Sequence, residues 1–141
     1  QLLAQQRFHA QVPNLCMKAL LSKKLGDRLL VQCFDVRTLN YLHQKYPDVR
    51  LSYLVEDKNA TFEELMARLD FVPQVYSPES DMLTEEIAGK VRAKGMELAP
   101  WTVDDKPETE RLKTLGVDAI ITNQPDSVMR WLGYPENKGK E

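Results

Sequence analysis

The fold of this chain is decided by two stretches on either side of one predicted helix, Leu98-Ala99-Pro100-Trp101-Thr102-Val103-Asp104 and Leu115-Gly116-Val117-Asp118-Ala119-Ile120-Ile121-Thr122-Asn123-Gln124-Pro125. Each contains a short apolar run that is typical of a buried strand. Between them, Asp105 stands three residues before Glu108, which is the spacing of a capping box with a proline tolerated in the first turn. Gly116 suits the left-handed position just past a helix. The stretches therefore predict a strand–helix–strand unit.

The same alternation of apolar runs and helical patterns extends over the chain from Gly26 onward. The predicted strands are 29–34, 49–55, 71–76, 96–102 and 118–122. A helix is predicted after each strand, beginning at Asp35, Thr61, Thr84, Asp105 and Pro125, and another at about 14–25. Because Pro73 cannot donate a ladder hydrogen bond, part of the third strand is expected to be irregular. Continuous apolar strands joined by helices predict an α/β fold with a parallel sheet covered on both faces.

The composition predicts one globular domain over 1–141, with 1–13 unassigned and 133–141 a tail. Hydrophobic residues make up 43%, charged residues 28%, and the formal net charge is −2, which argues against a nucleic-acid or anionic-membrane surface. Residues 1–7 lack the basic start and apolar centre of a signal peptide. Since there is no initiator Met, the natural start is expected upstream, and the compartment stays open.

Two features leave alternatives open at this point. Cys16 lies in a helical pattern and Cys33 ends an apolar strand, so both are predicted to be buried, reduced thiols. Periodicity does not separate an open doubly wound sheet from a piece of a barrel. A more specific signal is needed to choose.

That signal is a resemblance to the glycerophosphodiester phosphodiesterase family. The two opening stretches resemble its closing signature, in which W-T-V-N precedes G-V-D-G-I-I-T-D-x-P, and residues 31–35 resemble its S-F-D segment. The match covers about residues 27–132. It implies the C-terminal part, about five βα units, of a TIM (β/α)8 barrel of the PLC-like phosphodiesterase type.

Four positions depart from the family pattern as quoted. Cys33 stands in place of Ser, Asp104 in place of Asn, Ala119 in place of Gly, and Asn123 in place of Asp. These departures put in doubt any hydrogen bond that the Ser or the Asp would supply.

The resemblance implies metal-dependent hydrolysis of glycerophosphodiesters to glycerol 3-phosphate and an alcohol, in lipid metabolism, with Mg²⁺ or Ca²⁺ as the divalent metal. The family's N-terminal H-R-G strand with the E-x-D pair that follows it, its second histidine and an E-x-K within an apolar strand are not found in these residues. We therefore expect no catalytic residue and no metal ligand here, and an inactive isolated chain. The missing N-terminal half, or a second copy, is the expected partner that covers the half barrel.

Two other readings come from different classes of protein. The chain could be a non-catalytic half barrel that serves in assembly or ligand binding. It could also be an unrelated open α/β binding domain, but the signature from Trp101 to Pro125 would then be a coincidence.

Three residues are predicted to bind substrate. Trp101 ends a strand, and the C-terminal strand ends surround the active site of a barrel, so its ring is expected to form an apolar wall of the pocket. Phe34 lies similarly at the end of the first predicted strand. Gln32 is polar within an apolar run and is expected either to point into the barrel mouth or to bond a neighbouring strand.

Other polar residues have ordinary structural explanations. His43 lies beside an apolar helix face and is expected at a surface or boundary. The pairs Glu63-Glu64 and Glu85-Glu86 lie in first turns, where they complement the helix dipole. Asp104 and Asp105 follow Trp101, and helix capping explains them unless a third metal ligand exists.

Overall fold

The computed structural model describes residues 16–135, which divide into two compact units, one ending at Val75 and the other beginning at Tyr76. Each unit contains parallel strand pairing and helices in alternation, which confirms the predicted α/β class. Within residues 16–135, no helix is both long and apolar enough to cross a membrane.

The first unit follows a helix–strand–helix–strand–helix order. Helix α1 covers residues 16–21, and a 3₁₀ turn spans Gly26–Arg28. The remaining elements are β1 (Leu30–Cys33), α2 (Val36–Lys45), β2 (Arg50–Val55) and α3 (Phe62–Ala67). β1 pairs in parallel with β2, and the register runs from Leu30 opposite Arg50 to Cys33 opposite Tyr53.

Helices α2 and α3 begin at the residues that the sequence predicted. The Asp35 side chain accepts from the backbone nitrogens of Arg37 and Thr38. Thr61 and Glu64 form a complete capping box, with the Thr61 hydroxyl accepting from the Glu64 nitrogen at 3.2 Å and the Glu64 carboxylate accepting from the Thr61 nitrogen at 2.8 Å. Both arrangements satisfy amides that the first helical turn leaves without partners.

The core of the first unit lies between β2 and the helices α2 and α3. The buried apolar side chains of these elements are Leu39, Leu42, Leu51, Tyr53, Val55, Phe62, Leu65 and Met66. Asn40 of α2 joins the chain after α3, because its side chain donates to the Arg68 carbonyl at 3.3 Å and accepts from the Asp70 nitrogen at 2.8 Å. No residue of β1 reaches the same degree of burial.

The second unit continues the alternation. β3 (Val75–Pro78) crosses the unit boundary and is followed by a 3₁₀ turn (Ser80–Met82), α4 (Glu85–Ala93), β4 (Glu97–Leu98), α5 (Lys106–Leu115) and α6 (Pro125–Trp131). β3 and β4 are neighbours in the sheet, and a parallel bridge joins Glu79 to Trp101. Its buried apolar side chains include Tyr76, Leu83, Ala88, Val91, Leu98, Val103, Leu112 and Val128.

Several sequence predictions need correction. The first helix was predicted to reach Leu25, but its helical part ends at residue 21 and a turn follows. The third strand begins at Val75 rather than at Phe71, because the segment around Pro73 is irregular. Cys16 was predicted to be buried and is exposed, while Cys33 is partly exposed; both are free thiols.

The predicted fifth strand, 118–122, is not a regular strand, although it lies alongside β4. The Asp118 and Ala119 nitrogens both donate to the Leu98 carbonyl, at 2.9 and 3.2 Å, and the Ile121 nitrogen donates to the Pro100 carbonyl at 3.0 Å. A continuous parallel ladder would also require the N–H of residue 100 to donate to the carbonyl of residue 119. Proline has none, so the ladder is interrupted.

The predicted single domain over 1–141, with its unassigned start and its tail, stays a prediction. Residues 1–15 and 136–141 lie outside the described part, and they include the unassigned start, the predicted beginning of the first helix and the last residues of the tail.

Candidate functional site

Trp101 is fixed at the C-terminal end of the β3–β4 pair by three hydrogen bonds. Its backbone nitrogen donates to the Pro78 carbonyl at 3.0 Å, and its carbonyl accepts from the Ser80 nitrogen at 2.7 Å. Its indole nitrogen donates to the Ser77 carbonyl at 2.9 Å. Because the indole N–H is already used, the partly exposed ring can offer a ligand mainly its apolar face.

Ser77 repairs a gap in the ladder below this tryptophan. The Ala99 nitrogen donates to the Tyr76 carbonyl and the Trp101 nitrogen donates to the Pro78 carbonyl. A regular parallel ladder also requires the N–H of residue 78 to donate to the Ala99 carbonyl, and proline has no N–H. The Ser77 hydroxyl instead donates to that carbonyl at 2.5 Å, and the serine is fully buried. Ser77 was not predicted from the sequence, although the adjacent proline was a usable signal.

Arg111 connects α5 to the loop that follows β3. Its guanidinium donates to the carbonyls of Leu83 and Ser80, each at 2.8 Å. It also forms a two-point ion pair with Glu108, at 2.8 and 2.6 Å. Sequence reasoning missed Arg111, because these carbonyls lie 28 and 31 residues away along the chain.

Asp104 lies on the loop after Trp101 and accepts three hydrogen bonds. Its Oδ1 accepts from the Thr122 hydroxyl and from the Asn123 nitrogen, both at 2.8 Å, and its Oδ2 accepts from the Asn123 side-chain amide at 3.0 Å. These donors, the Asn123 backbone foremost, lower the pKa of Asp104 below its ordinary value. The carboxylate is therefore ionised at neutral pH and already has partners.

In the first unit, Gln32 and Phe34 occupy alternate positions at the end of β1. Gln32 is exposed and lies opposite Ser52 of β2 in the register, so the two side chains share a face of the sheet. Phe34, just past the strand, is 48% exposed. Gln32 and Phe34 belong to the first unit and Trp101 to the second, so a common pocket lined by all three stays a prediction.

The Ser52 hydroxyl has an unusual environment beside Gln32. Ser52 is fully buried, and its Oγ has no hydrogen-bond partner among residues 16–135. Buried hydroxyls are rarely left unpaired, so this position is one where a water molecule or a further polar group is expected.

Three of the four departures from the family motif, at Cys33, Asp104 and Asn123, keep a hydrogen bond. The Cys33 sulfur accepts from the Asp35 nitrogen at 3.3 Å, as a serine hydroxyl can do in such a turn. Asp104 and Asn123 contact each other directly. The family motif has Asn and Asp at these positions, and this chain has them exchanged, so a carboxylate–amide pair remains.

The other polar residues take the structural roles that the sequence favoured. The Asp105 side chain accepts from the Glu108 nitrogen at 2.9 Å and begins α5. Thr84 caps α4, whose first turn contains Glu85 and Glu86. His43 stacks on Phe71, with ring centroids 4.1 Å apart.

The described residues do not fit a divalent metal. Between residues 16 and 135, no three His, Cys, Asp or Glu side chains are grouped so that they could hold one. Asp104 and Asp105, the two acids of the loop that follows Trp101, are occupied by the hydrogen bonds given above. No third ligand accompanies them in this part of the chain.

The parallel strands and the helices that alternate with them define an α/β fold. The family model described as "Glycerophosphoryl diester phosphodiesterase family" matches residues 5–127, and the chain belongs to this family. The match begins well before residue 27, where the motif resemblance began.

Individual relatives agree with this assignment. A glycerophosphodiester phosphodiesterase of Caldanaerobacter subterraneus is 25% identical over 115 residues, which cover 80% of this chain and 46% of the relative. A crystal structure of a glycerophosphodiester phosphodiesterase from Parabacteroides distasonis superimposes with a TM-score of 0.74 at 21% identity, covering 89% of this chain and 52% of that one.

A third relative was solved with a product bound. It is a phosphodiesterase of Oleispira antarctica in complex with sn-glycerol-3-phosphate, with a TM-score of 0.63 at 18% identity over 74% of this chain and 41% of that one. The chain thus spans about half the length of the relatives it matches, and its fold corresponds to part of their barrels.

Proposed function

We propose that this chain forms the later part of the barrel of a glycerophosphodiester phosphodiesterase and contributes a substrate wall rather than the proton-transfer groups. The observation that supports this best is Trp101, which the motif places in the family signature and which three hydrogen bonds fix at the end of β4. Its indole N–H donates to the Ser77 carbonyl, so the partly exposed ring presents an apolar surface.

The proposed substrate is a glycerophosphodiester, cleaved to glycerol 3-phosphate and an alcohol. Trp101, Phe34 and Gln32 are the proposed binding residues: two aromatic faces for the carbon skeleton and one amide for hydrogen bonding. Support for the phosphate-containing product comes from the Oleispira relative, whose structure contains sn-glycerol-3-phosphate.

The catalytic histidines and the ligands of a divalent metal, Mg²⁺ or Ca²⁺, are proposed to lie outside the described residues. This proposal is supported by the absence from the sequence of the family's H-R-G strand with its following E-x-D pair, and by the hydrogen bonds that occupy Asp104 and Asp105. We expect the 141-residue chain alone to be inactive, and to need the other part of a barrel, or a second copy, to cover β1 and Phe34.

Binding and turnover test the proposal separately. Glycerol 3-phosphate and glycerophosphocholine are titrated into the chain while chemical shifts are followed, for the wild type, Trp101→Ala and the matched control Trp131→Ala. We expect loss of binding with Trp101→Ala and retention with Trp131→Ala. Equal effects of the two substitutions would contradict the assignment of Trp101.

Turnover is then measured as release of glycerol 3-phosphate with Mg²⁺ or Ca²⁺. The expected result is no release by the chain alone and release after addition of the part of the Caldanaerobacter relative that this chain does not match. Metal-dependent release by the chain alone would contradict the placement of the catalytic groups. Binding without release in either case would favour the ligand-binding half barrel.

A further inference from the structure

The loop that follows Trp101 is joined to the loop that follows segment 118–122 by a single carboxylate. We infer that Asp104 and Asn123 form a positioning pair, which holds the loop after β4 and thereby fixes the plane of the Trp101 ring. The inference rests on the proposed function in so far as that ring is the substrate wall.

Backbone pairing between the segment after Trp101 and segment 118–122 ends at Val103. The Val103 nitrogen donates to the Ile121 carbonyl at 3.0 Å, and Val103 is buried. The next contacts along the two segments come from the Asp104 side chain, which binds Thr122 and Asn123. The carboxylate therefore continues the connection where backbone pairing stops, three residues after Trp101.

The hydrogen bonds of Asp104 extend through Thr122 to the start of α6. The Thr122 hydroxyl donates to Asp104 and accepts from the Gln124 nitrogen at 2.9 Å. Gln124 is the cap position of α6 and makes no capping hydrogen bond through its own side chain. Asp104 thus orients the hydroxyl that satisfies an amide at the entrance of this helix.

The two oxygens of the Asp104 carboxylate have different partners. Oδ1 accepts two hydrogen bonds, whereas Oδ2 faces one amide donor, Asn123 Nδ2, at 3.0 Å. After Asp104→Asn, the side-chain oxygen can still accept the hydrogen bonds from Thr122 and from the Asn123 nitrogen. The new side-chain NH₂ then requires an acceptor on residue 123. Two carboxylates at these positions would instead face each other across a hydrogen-bond distance, and like charges repel strongly there.

Exchange of the two side chains tests the pair. Trp131→Phe makes Trp101 the sole tryptophan of the chain, which otherwise has two. In this background we compare Asp104→Asn, Asn123→Asp and the reciprocal double variant, by acrylamide quenching of Trp101 fluorescence and by urea unfolding. The double variant restores a carboxylate–amide pair in reversed order.

We expect Asn123→Asp to increase the quenching constant of Trp101 about twofold and the unfolding equilibrium constant about tenfold, since contacting residues couple strongly. Asp104→Asn alone should have a smaller effect, because the Asn123 amide can rotate to present its oxygen. The double variant should return both readouts to near the parent values. If Asn123→Asp does not fold, a folded double variant still supports the pair.

Additive effects in the double variant, or equal effects of the two single variants, would overturn the inference. The affinity for glycerol 3-phosphate separates this result from the proposed function: we expect Asn123→Asp to weaken it by roughly tenfold through misplacement of the ring. If the parent chain does not bind glycerol 3-phosphate, the proposed function fails, while quenching of Trp101 still decides the positioning pair.

Discussion

Arg111 binds the Glu108 carboxylate through two parallel hydrogen bonds, from Nε to Oε2 at 2.8 Å and from Nη2 to Oε1 at 2.6 Å. The same guanidinium donates to the carbonyls of Ser80 and Leu83, so one side chain joins α5 to the loop after β3. A planar, five-donor guanidinium can make these bonds at once, whereas an ammonium group has a different geometry.

The first prediction concerns acid stability. The hydrogen bonds from Arg111 lower the pKa of Glu108 in the folded state. A lowered folded-state pKa gives stability that is present above the unfolded value of about 4.3 and is lost as pH falls through the folded value. We therefore expect Arg111→Met to reduce the difference in unfolding free energy between pH 7 and pH 3, as measured by urea denaturation.

At pH 7, Arg111→Met should lower the free energy of unfolding by about 1–2 kcal/mol, mainly because two backbone carbonyls lose a charged donor. The exposed ion pair itself adds roughly 0.5 kcal/mol. Lys106→Met is the control, since its contact with Glu110 is longer, at 3.7 Å, and exposed. An unchanged pH dependence in Arg111→Met would contradict the role given to the ion pair.

The second prediction concerns Ser77. Pro78 has no N–H to donate to the Ala99 carbonyl, and the Ser77 hydroxyl is the donor described there. Ser77→Ala removes this donor at a buried position. We expect the unfolding free energy to fall by about 1–3 kcal/mol, the usual cost of an unsatisfied buried acceptor. Thermal and urea unfolding both measure this change.

The matched control for Ser77 is Ser127→Ala on α6. The Ser127 hydroxyl accepts from Arg130 at 3.4 Å in an exposed position, so its removal should change stability by less than about 0.5 kcal/mol. If the two serine variants are equally stable, Ser77 does not repair the ladder.

The third prediction compares two glycines. Gly116 ends α5 in the left-handed region, with φ of 73°, and an added Cβ would lie 2.9 Å from the Arg92 guanidinium, which also donates to the Leu115 carbonyl. Gly116→Ala should therefore destabilise the chain by about 1–2 kcal/mol. Gly89 lies within α4 with open space around it.

Gly89→Ala should stabilise the chain by up to about 1 kcal/mol, because alanine loses less backbone entropy in a helix. Melting temperatures of the two variants give the comparison directly. We expect the melting temperature to fall for Gly116→Ala and to rise for Gly89→Ala. Changes of the same sign would show that backbone conformation does not distinguish these glycines.

The sequence by itself determined the elements whose signals are local. The helix starts at Asp35, Thr61, Thr84 and Asp105 follow from side chains that satisfy amides two or three residues away, and each was predicted correctly. Gly116 was likewise predicted at the left-handed position past α5. The family was identified from the order and spacing of short motifs around Trp101, and the family model confirmed it.

What the tertiary structure decided depends on residues far apart in the chain. Sequence periodicity predicted a regular strand at 118–122, but Pro100, about twenty residues earlier, interrupts its ladder. The bond from the Trp101 indole to the Ser77 carbonyl and the contact of Asp104 with Asn123 likewise join segments 24 and 19 residues apart. A local pattern contains no information on which distant group completes a hydrogen bond, so only the folded chain shows these partners.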